Sequence, residues 1–190
     1  MTTHTPPNDL AGRSLLGVFA HPDDESLASG GLLACCAHLG ATVALLCATR
    51  GEHGQGEGDL GTIRADELRA AARVLGIDAP AILAYEDGML PWADRAQLRG
   101  DIRKTIRRGR PEVVVTFDED GLYGHHDHIA IHEDVTAAVA ALNGATPALY
   151  YVTMPAGRMR AVVEHAAMAV PSSAGRPLLT ILGIDDPDAF

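Results

Sequence analysis

The chain has 190 residues, 47% of them hydrophobic, and carries 15 Lys and Arg against 25 Asp and Glu for a formal net charge of −10. That length and composition suit a single domain, residues 1–190, able to bury a sizeable core. The acidic balance excludes a general phosphate-backbone footprint, so nucleic acid is not an expected partner and a small molecule is. Residues 1–13 are polar, include two prolines and lack the apolar core of a secretory signal, so we expect a flexible lead and a cytoplasmic protein.

Residues 14–20 read as a first β-strand that runs straight into Ala20-His21-Pro22-Asp23-Asp24-Glu25. A parallel strand that stops at charged side chains puts them in the crevice at the carboxyl edge of the sheet, where open α/β sheets bind ligands. Pro22 disfavours helix at His21, so a sharp turn can aim His21 and Asp24 the same way. Imidazole nitrogen with carboxylate oxygen suits a borderline cation such as zinc. An acidic cap on the following helix accounts for the same residues, and this stretch alone leaves both readings open.

Residues 27–48 contain no formally charged side chain over a length that would span a bilayer. Gly30, Gly31, His38 and Gly40 argue instead for a buried helix over 27–39 and a buried strand over 42–48, so no membrane insertion is expected. Cys35, Cys36 and Cys47 fall in these segments without CxxC spacing and read as reduced core residues. Residues 49–58, with four glycines, form a loop near the same edge as His21. Leu68, Ala71, Ala72 and Leu75 then recur at helical spacing from Thr62 to a stop at Gly76.

A short strand over 81–85 turns at Glu86-Asp87-Gly88. Leu98, Ile102 and Ile106 mark another helix, whose Arg99, Arg103, Lys104, Arg107 and Arg108 read as a solvated face. Residues 113–117 are the clearest strand, β-branched and ending at Asp118-Glu119-Asp120. A helix over 131–142 and a strand over 148–152 continue the alternation. The expected class is α/β, a three-layer Rossmann-like fold with a mostly parallel sheet. Beyond Pro155 the pattern weakens to a helix over 159–167, a loop over 169–175 and a strand over 178–184.

The fourth strand leads into Leu122-Tyr123-Gly124-His125-His126-Asp127-His128, and with His132 four histidines fall within eight residues. A single inward histidine is ordinarily a hydrogen-bonded core residue. Here both clusters leave strands at the carboxyl edge, so His21, Asp24 and one of these histidines can converge on one cation. Three protein ligands with a position left for water is the arrangement of catalytic zinc.

The pairing of AHPDDE with YGHHDH, separated by TRGEHG and by Arg64-Ala65-Asp66-Glu67 before Leu75-Gly76, resembles the LmbE-like, or PIG-L, superfamily of zinc-dependent N-acetylglucosaminyl deacetylases. The resemblance runs from Ser14 to about Leu142. It implies that His21, Asp24 and His128 bind the metal, one Zn2+ per subunit, and that Asp23 is the general base. It further implies that His125 is the electrostatic partner and acid, with Asp127 orienting its imidazole. Tyr123 matches a tyrosine near the oxyanion in some members, Arg64 an arginine that contacts substrate oxygens, and Glu52 a contact to sugar hydroxyls. For Tyr123 a packing role, and for Arg64 a salt bridge at a helix start, remain open.

The chemistry agrees with these roles. An amide resists neutral water and needs an activated nucleophile and a stabilised oxyanion; metal coordination lowers the pKa of water to roughly 7, and a nearby carboxylate takes the remaining proton. Zinc and a protonated His125 would stabilise the oxyanion, and His125 or Asp23 would deliver a proton to the leaving amine. The implied substrate is a small N-acylated sugar or glycoconjugate. Amidase action on a secondary-metabolite intermediate or a thiol conjugate is an alternative, as is a metal-binding module without turnover. The latter needs no general base. Longer relatives add a helical segment with a Lys and a His-x-x-Gln motif that nothing here matches, so the chain is either short or a fragment. A specificity wall would then be missing or come from another subunit of a homo-oligomer. His126 stands where proline is common in the motif, and we expect it to face solvent.

Overall fold

The computed structural model describes residues 9–154, and the expectations for the first eight residues and for the helix, loop and strand after residue 154 lie outside them. The chain runs β1 (Ser14–Phe19), α1 (Asp24–His38), β2 (Thr42–Thr49), α2 (Leu60–Leu75), β3 (Ala81–Tyr85), a 3-10 turn (Leu90–Trp92), α3 (Arg95–Gly109), β4 (Val113–Phe117), α4 (Gly121–Gly124), α5 (His126–Ala140) and β5 (Ala148–Val152). The strands form one sheet in the order β3-β2-β1-β4-β5, and every pairing is parallel.

After Ser14 in β1 and Val113 in β4, every residue of these central strands is buried, which is why their sequences run apolar without alternation. From β1 the chain moves outward through β2 to β3, then crosses back past β1 to β4 and β5. The helices accordingly pair as α1 with α2 and α3 with α5, a layer on each side of the sheet. Because the strand order reverses between β1 and β4, the loops after these two strands flank a crevice at the carboxyl edge. Phe19 and Phe117, at the ends of those strands, close the core below it, edge to face with centroids 5.3 Å apart.

The helix boundaries have local causes. Asp59 accepts from the Thr62 amide at 3.1 Å and so caps α2, which ends at Gly76 in the left-handed conformation. Asp94 caps α3 in the same way through the Gln97 amide, 3.0 Å away. At the other end of the chain, the Leu10 amide donates to the Leu39 carbonyl and Arg13 pairs with Glu112.

Three expectations are corrected. The uncharged stretch does divide into α1 and β2, and among the described residues no helix is long and apolar enough to cross a membrane. α1 is not wholly buried, however: Leu27 is 81% exposed, because the sheet covers only the side that carries Ser29, Gly30 and Leu33. Of the cysteines, only Cys47, on β2, lies in the core, while Cys35 is exposed. Finally, Arg99 is not merely solvated. Together with Arg95 it pairs with Asp134 of α5, a carboxylate with no exposed surface. A charge buried so completely needs such partners.

Candidate metal centre

The loops after β1, β2, β3 and β4 meet at the carboxyl edge. In the first, the acidic letters divide their work. Glu25, 1% exposed, folds back so that its Oε2 accepts the Asp23 amide at 3.0 Å, while the Asp23 side chain makes no cap bond of its own. Asp24 turns the other way. Its Oδ2 takes the His21 amide at 2.7 Å and lies 3.4 Å from His21 Nδ1, while its Oδ1 lies 3.2 Å from His128 Nε2. Capping and convergence on the histidines are therefore both present, on different residues.

His21 Nδ1 and His128 Nε2 are 3.3 Å apart. Donors each about 2.0–2.1 Å from a single tetrahedral zinc stand about 3.3 Å from one another, so the spacing of His21 Nδ1 and His128 Nε2 fits such an ion, with one Asp24 oxygen turned to each of the two rings. The outward-facing nitrogens set the tautomers. His128 Nδ1 donates to the Gly121 carbonyl at 3.1 Å, which leaves the Nε2 lone pair facing inward. His21 Nε2 faces Asp127 Oδ2 at 3.0 Å and Asp87 Oδ1 at 3.1 Å, which leaves Nδ1 for a cation. His125 offers a further nitrogen within 4.8 Å of those of His21 and His128.

The electrostatics point the same way. Burial opposes charging His21, yet hydrogen bonds with Asp127, Asp24 and Asp87 push its pKa up to about 12. Burial would raise Asp24, but the neighbouring His128 and His21 hold its carboxyl well below the usual range. The cluster thus favours positive charge at its centre, a condition that a divalent cation meets.

His128 is held by its surroundings. Its ring stacks on Phe117 with centroids 4.0 Å apart. Gly121, whose carbonyl takes the Nδ1 proton, has φ 65°, and a Cβ there would sit 2.9 Å from His128 Cβ. Only glycine satisfies both conditions. Tyr123 lies beside His128 at a centroid distance of 5.2 Å, and burial followed by Asp24 and Asp23 pushes its hydroxyl above its ordinary range.

The second motif departs from expectation in two respects. Asp127 does not orient His125 with its carboxylate: that group accepts from His21 Nε2 and from the amides of Gly88 and Leu90, at 2.7 and 3.1 Å. Nor does His125 have the bonding of an imidazolium. It caps α5, and its Nδ1 accepts the Asp127 amide at 3.2 Å, so its proton belongs on Nε2. Burial, His128 and His21 push its pKa down to about 4. His126 is exposed, as expected, and His132 instead faces the Phe117 carbonyl.

Asp23 is 54% exposed at its side chain and pairs with Arg64 at 2.8 Å. Burial first and Asp24 second raise its pKa to about 6, against the pull of Arg64 and His21. Glu52 lies at the same edge, its Oε1 accepting the Asp87 amide at 3.0 Å. Its Oε2 is the one buried side-chain oxygen without a hydrogen-bond partner among the described residues.

Sequence reasoning took Asp87 only as a turn residue. Besides facing His21, its Oδ2 accepts the His53 amide at 3.0 Å and its carbonyl accepts from His53 Nδ1 at 2.7 Å, tying the loop after β2 to the loop after β3. The available signal was an acidic pair directly after a short strand, as Asp118-Glu119 also follows β4.

A profile of the family described as PIG-L, GlcNAc-PI de-N-acetylase, matches residues 16–139. The chain is 38% identical over 190 residues to a 1D-myo-inositol 2-acetamido-2-deoxy-alpha-D-glucopyranoside deacetylase of Nakamurella multipartita, an alignment that covers 83% of this chain and 64% of that relative. It therefore spans just under two thirds of the curated relative. In structure it is similar to N,N'-diacetylchitobiose deacetylase of Pyrococcus horikoshii, with TM-score 0.63 and 30% identity over 67% of this chain and 49% of that one. It is also similar to GalB of Pseudomonas putida, a 4-carboxy-2-hydroxymuconate hydratase, with TM-score 0.59 and 26% identity over 75% and 63% of the two chains.

Proposed function

Because the chain belongs to the PIG-L family of GlcNAc-PI de-N-acetylases, we propose that it is a zinc-dependent hydrolase that removes the acetyl group from a small N-acetylglucosamine-type glycoconjugate. The observation that carries this reading is the approach of His21 and His128 to 3.3 Å, with an Asp24 oxygen 3.2–3.4 Å from each, beside the half-exposed carboxylate of Asp23. A zinc ion held by those three side chains would supply Lewis acidity at the acetamide and make water a stronger acid.

The chain's own groups account for the remaining steps. Asp23 takes the proton of the attacking water as its oxygen bonds to the carbonyl carbon. His125 donates its Nε2 proton in a hydrogen bond to the developing oxyanion as a neutral imidazole, with Tyr123 beside it. The carbon–nitrogen bond then breaks as Asp23 returns the proton to the amine nitrogen, and the free amine leaves with acetic acid, which keeps the second proton of the water until it ionises in solvent. The orphaned Glu52 Oε2 is suited to a sugar hydroxyl, since a buried acceptor is stabilised by a donor.

The test is release of free amine from a panel of N-acetylglucosamine conjugates by zinc-loaded, chelated and Asp23→Ala protein, with zinc assayed in each. Turnover that stops on chelation, and a drop of about 10²–10⁴-fold in Asp23→Ala with zinc retained, are expected. Zinc binding without amine release would favour a non-hydrolytic module. Hydration of 4-carboxy-2-hydroxymuconate in place of deacetylation would overturn the proposal.

A further inference from the structure

We infer that Arg64 is a positioning residue for Asp23: its guanidinium fixes the carboxylate and the two loops around it. The inference rests on the hydrolase reading for its kinetic consequences, though not for its geometry. Arg64 comes from α2 and reaches across both loops. Its Nη2 donates to the Pro22 carbonyl at 2.7 Å and to Asp23 Oδ2 at 2.8 Å, and its Nη1 donates to the Gly51 carbonyl at 2.9 Å. Both Nη2 protons are thereby used, so a substrate oxygen would have to displace Asp23 or Pro22 to reach that nitrogen.

The path of the arginine is built for it. A Cβ on Gly51 would collide with Arg64 Nη1, and one on Gly54 would lie 2.9 Å from the same atom, so a side chain at either position would push the guanidinium from its place, and Gly51 also has φ 64°. The Arg64 side chain is 20% exposed against 54% for Asp23. It is held inside the fold while the carboxylate it grips reaches solvent.

Asp23 needs this support. Its φ is 112°, a region costly for any residue with a Cβ, and such conformations persist only where the surroundings over-determine them. Glu25 holds the Asp23 amide and Arg64 its carboxylate. A guanidinium suits the task because its planar fork serves two carbonyls and a carboxylate at once, which a lysine ammonium on a flexible stem does not.

The experiment pairs structure with kinetics. Crystal structures of zinc-loaded wild type, Arg64→Ala and Arg64→Lys would locate the Asp23 carboxylate. Amine release from 1D-myo-inositol 2-acetamido-2-deoxy-alpha-D-glucopyranoside would be measured for the same proteins, for Asp23→Ala and for the double variant. Removing the guanidinium is expected to displace the carboxylate and lower kcat by about 10²-fold with KM little changed, the effect of a misplaced catalytic group. Arg64→Lys, which keeps the charge and fills the space, shows an intermediate loss and serves as the folded variant should Arg64→Ala not fold. In the Asp23→Ala background, loss of Arg64 costs nothing further, because the two act as one unit.

A carboxylate that stays in place in both arginine variants would overturn the inference. So would a rise in KM at unchanged kcat, or losses that add in the double variant. If wild type releases no amine from this conjugate, that substrate is excluded, and the carboxylate positions still decide the role of Arg64.

Discussion

His21 is held from behind by Asp127: the imidazole Nε2 donates to Asp127 Oδ2 at 3.0 Å, while the same carboxylate takes the amides of Gly88 and Leu90. One buried anion thus orients the imidazole proposed to bind zinc and closes the turn after β3. Carboxylates behind ligating histidines raise their basicity and fix their rotation, and losing one typically costs 10–100-fold in metal affinity. We expect Asp127→Ala to lose about that much in a competitive zinc titration, and to melt lower because two amides are left unpaired. Asp87→Ala, which leaves those amides paired, should weaken zinc with a smaller fall in melting temperature. Wild-type affinity in both variants would refute this account of the tautomer.

His125 gives a second prediction. As a neutral donor it should matter to turnover and not to metal: His125→Ala is expected to lower kcat by about 10²–10³-fold, the usual cost of one oxyanion donor, with zinc content unchanged. Loss of zinc in this variant would make His125 a ligand, a role that its nitrogen, within 4.8 Å of those of His21 and His128, also allows.

Phe117 joins the core to the site. It has no exposed surface, packs edge-on against Phe19 and stacks on the His128 ring. Phe117→Ala should cost about 3–5 kcal/mol in denaturant titration through the cavity it leaves. It should also weaken zinc, since His128 loses the surface that holds its plane. Phe117→Leu should recover most of the stability and less of the zinc affinity.

The cap of α2 predicts a pH dependence. The Thr62 hydroxyl, and then its amide, hold the Asp59 carboxyl below its ordinary value of 3.8. The folded state therefore binds fewer protons at this group than the unfolded state does. Its contribution is fully present above the unfolded value and is lost as pH falls through the folded one. The difference in melting temperature between wild type and Asp59→Ala should hold steady from about pH 8 to about pH 5 and narrow below the ordinary value. A difference that instead widens in acid would mean that the carboxylate is not the capping species.

The sequence by itself determined the order of strands and helices and the two clusters that end β1 and β4. Apolar runs, glycine stops and acidic caps act over a few residues, so they are written locally. The run of 113–117 is read as a strand because its β-branched side chains fit nowhere better, and Gly76 ends α2 for its own backbone reasons. The meeting of His21 with His128 was also within reach, since strands in a parallel sheet all present their carboxyl ends at one edge.

What the tertiary structure decided is which carboxylate serves which histidine, and which cation serves Asp23. His21 and Asp127 are 106 residues apart in the chain, and Arg64 and Asp23 are 41 apart. Asp127 sits two positions from His125, and the family resemblance implied that pairing. The rise of α5 instead turns its carboxylate toward the loop after β3, where His21 and two backbone amides await it. Asp87 carried only the signal of an acidic pair after a short strand. Its role arises only because the sheet brings the loop after β3 behind His21, and a hydrogen-bond partner supplied by another loop leaves no periodicity in the chain that receives it.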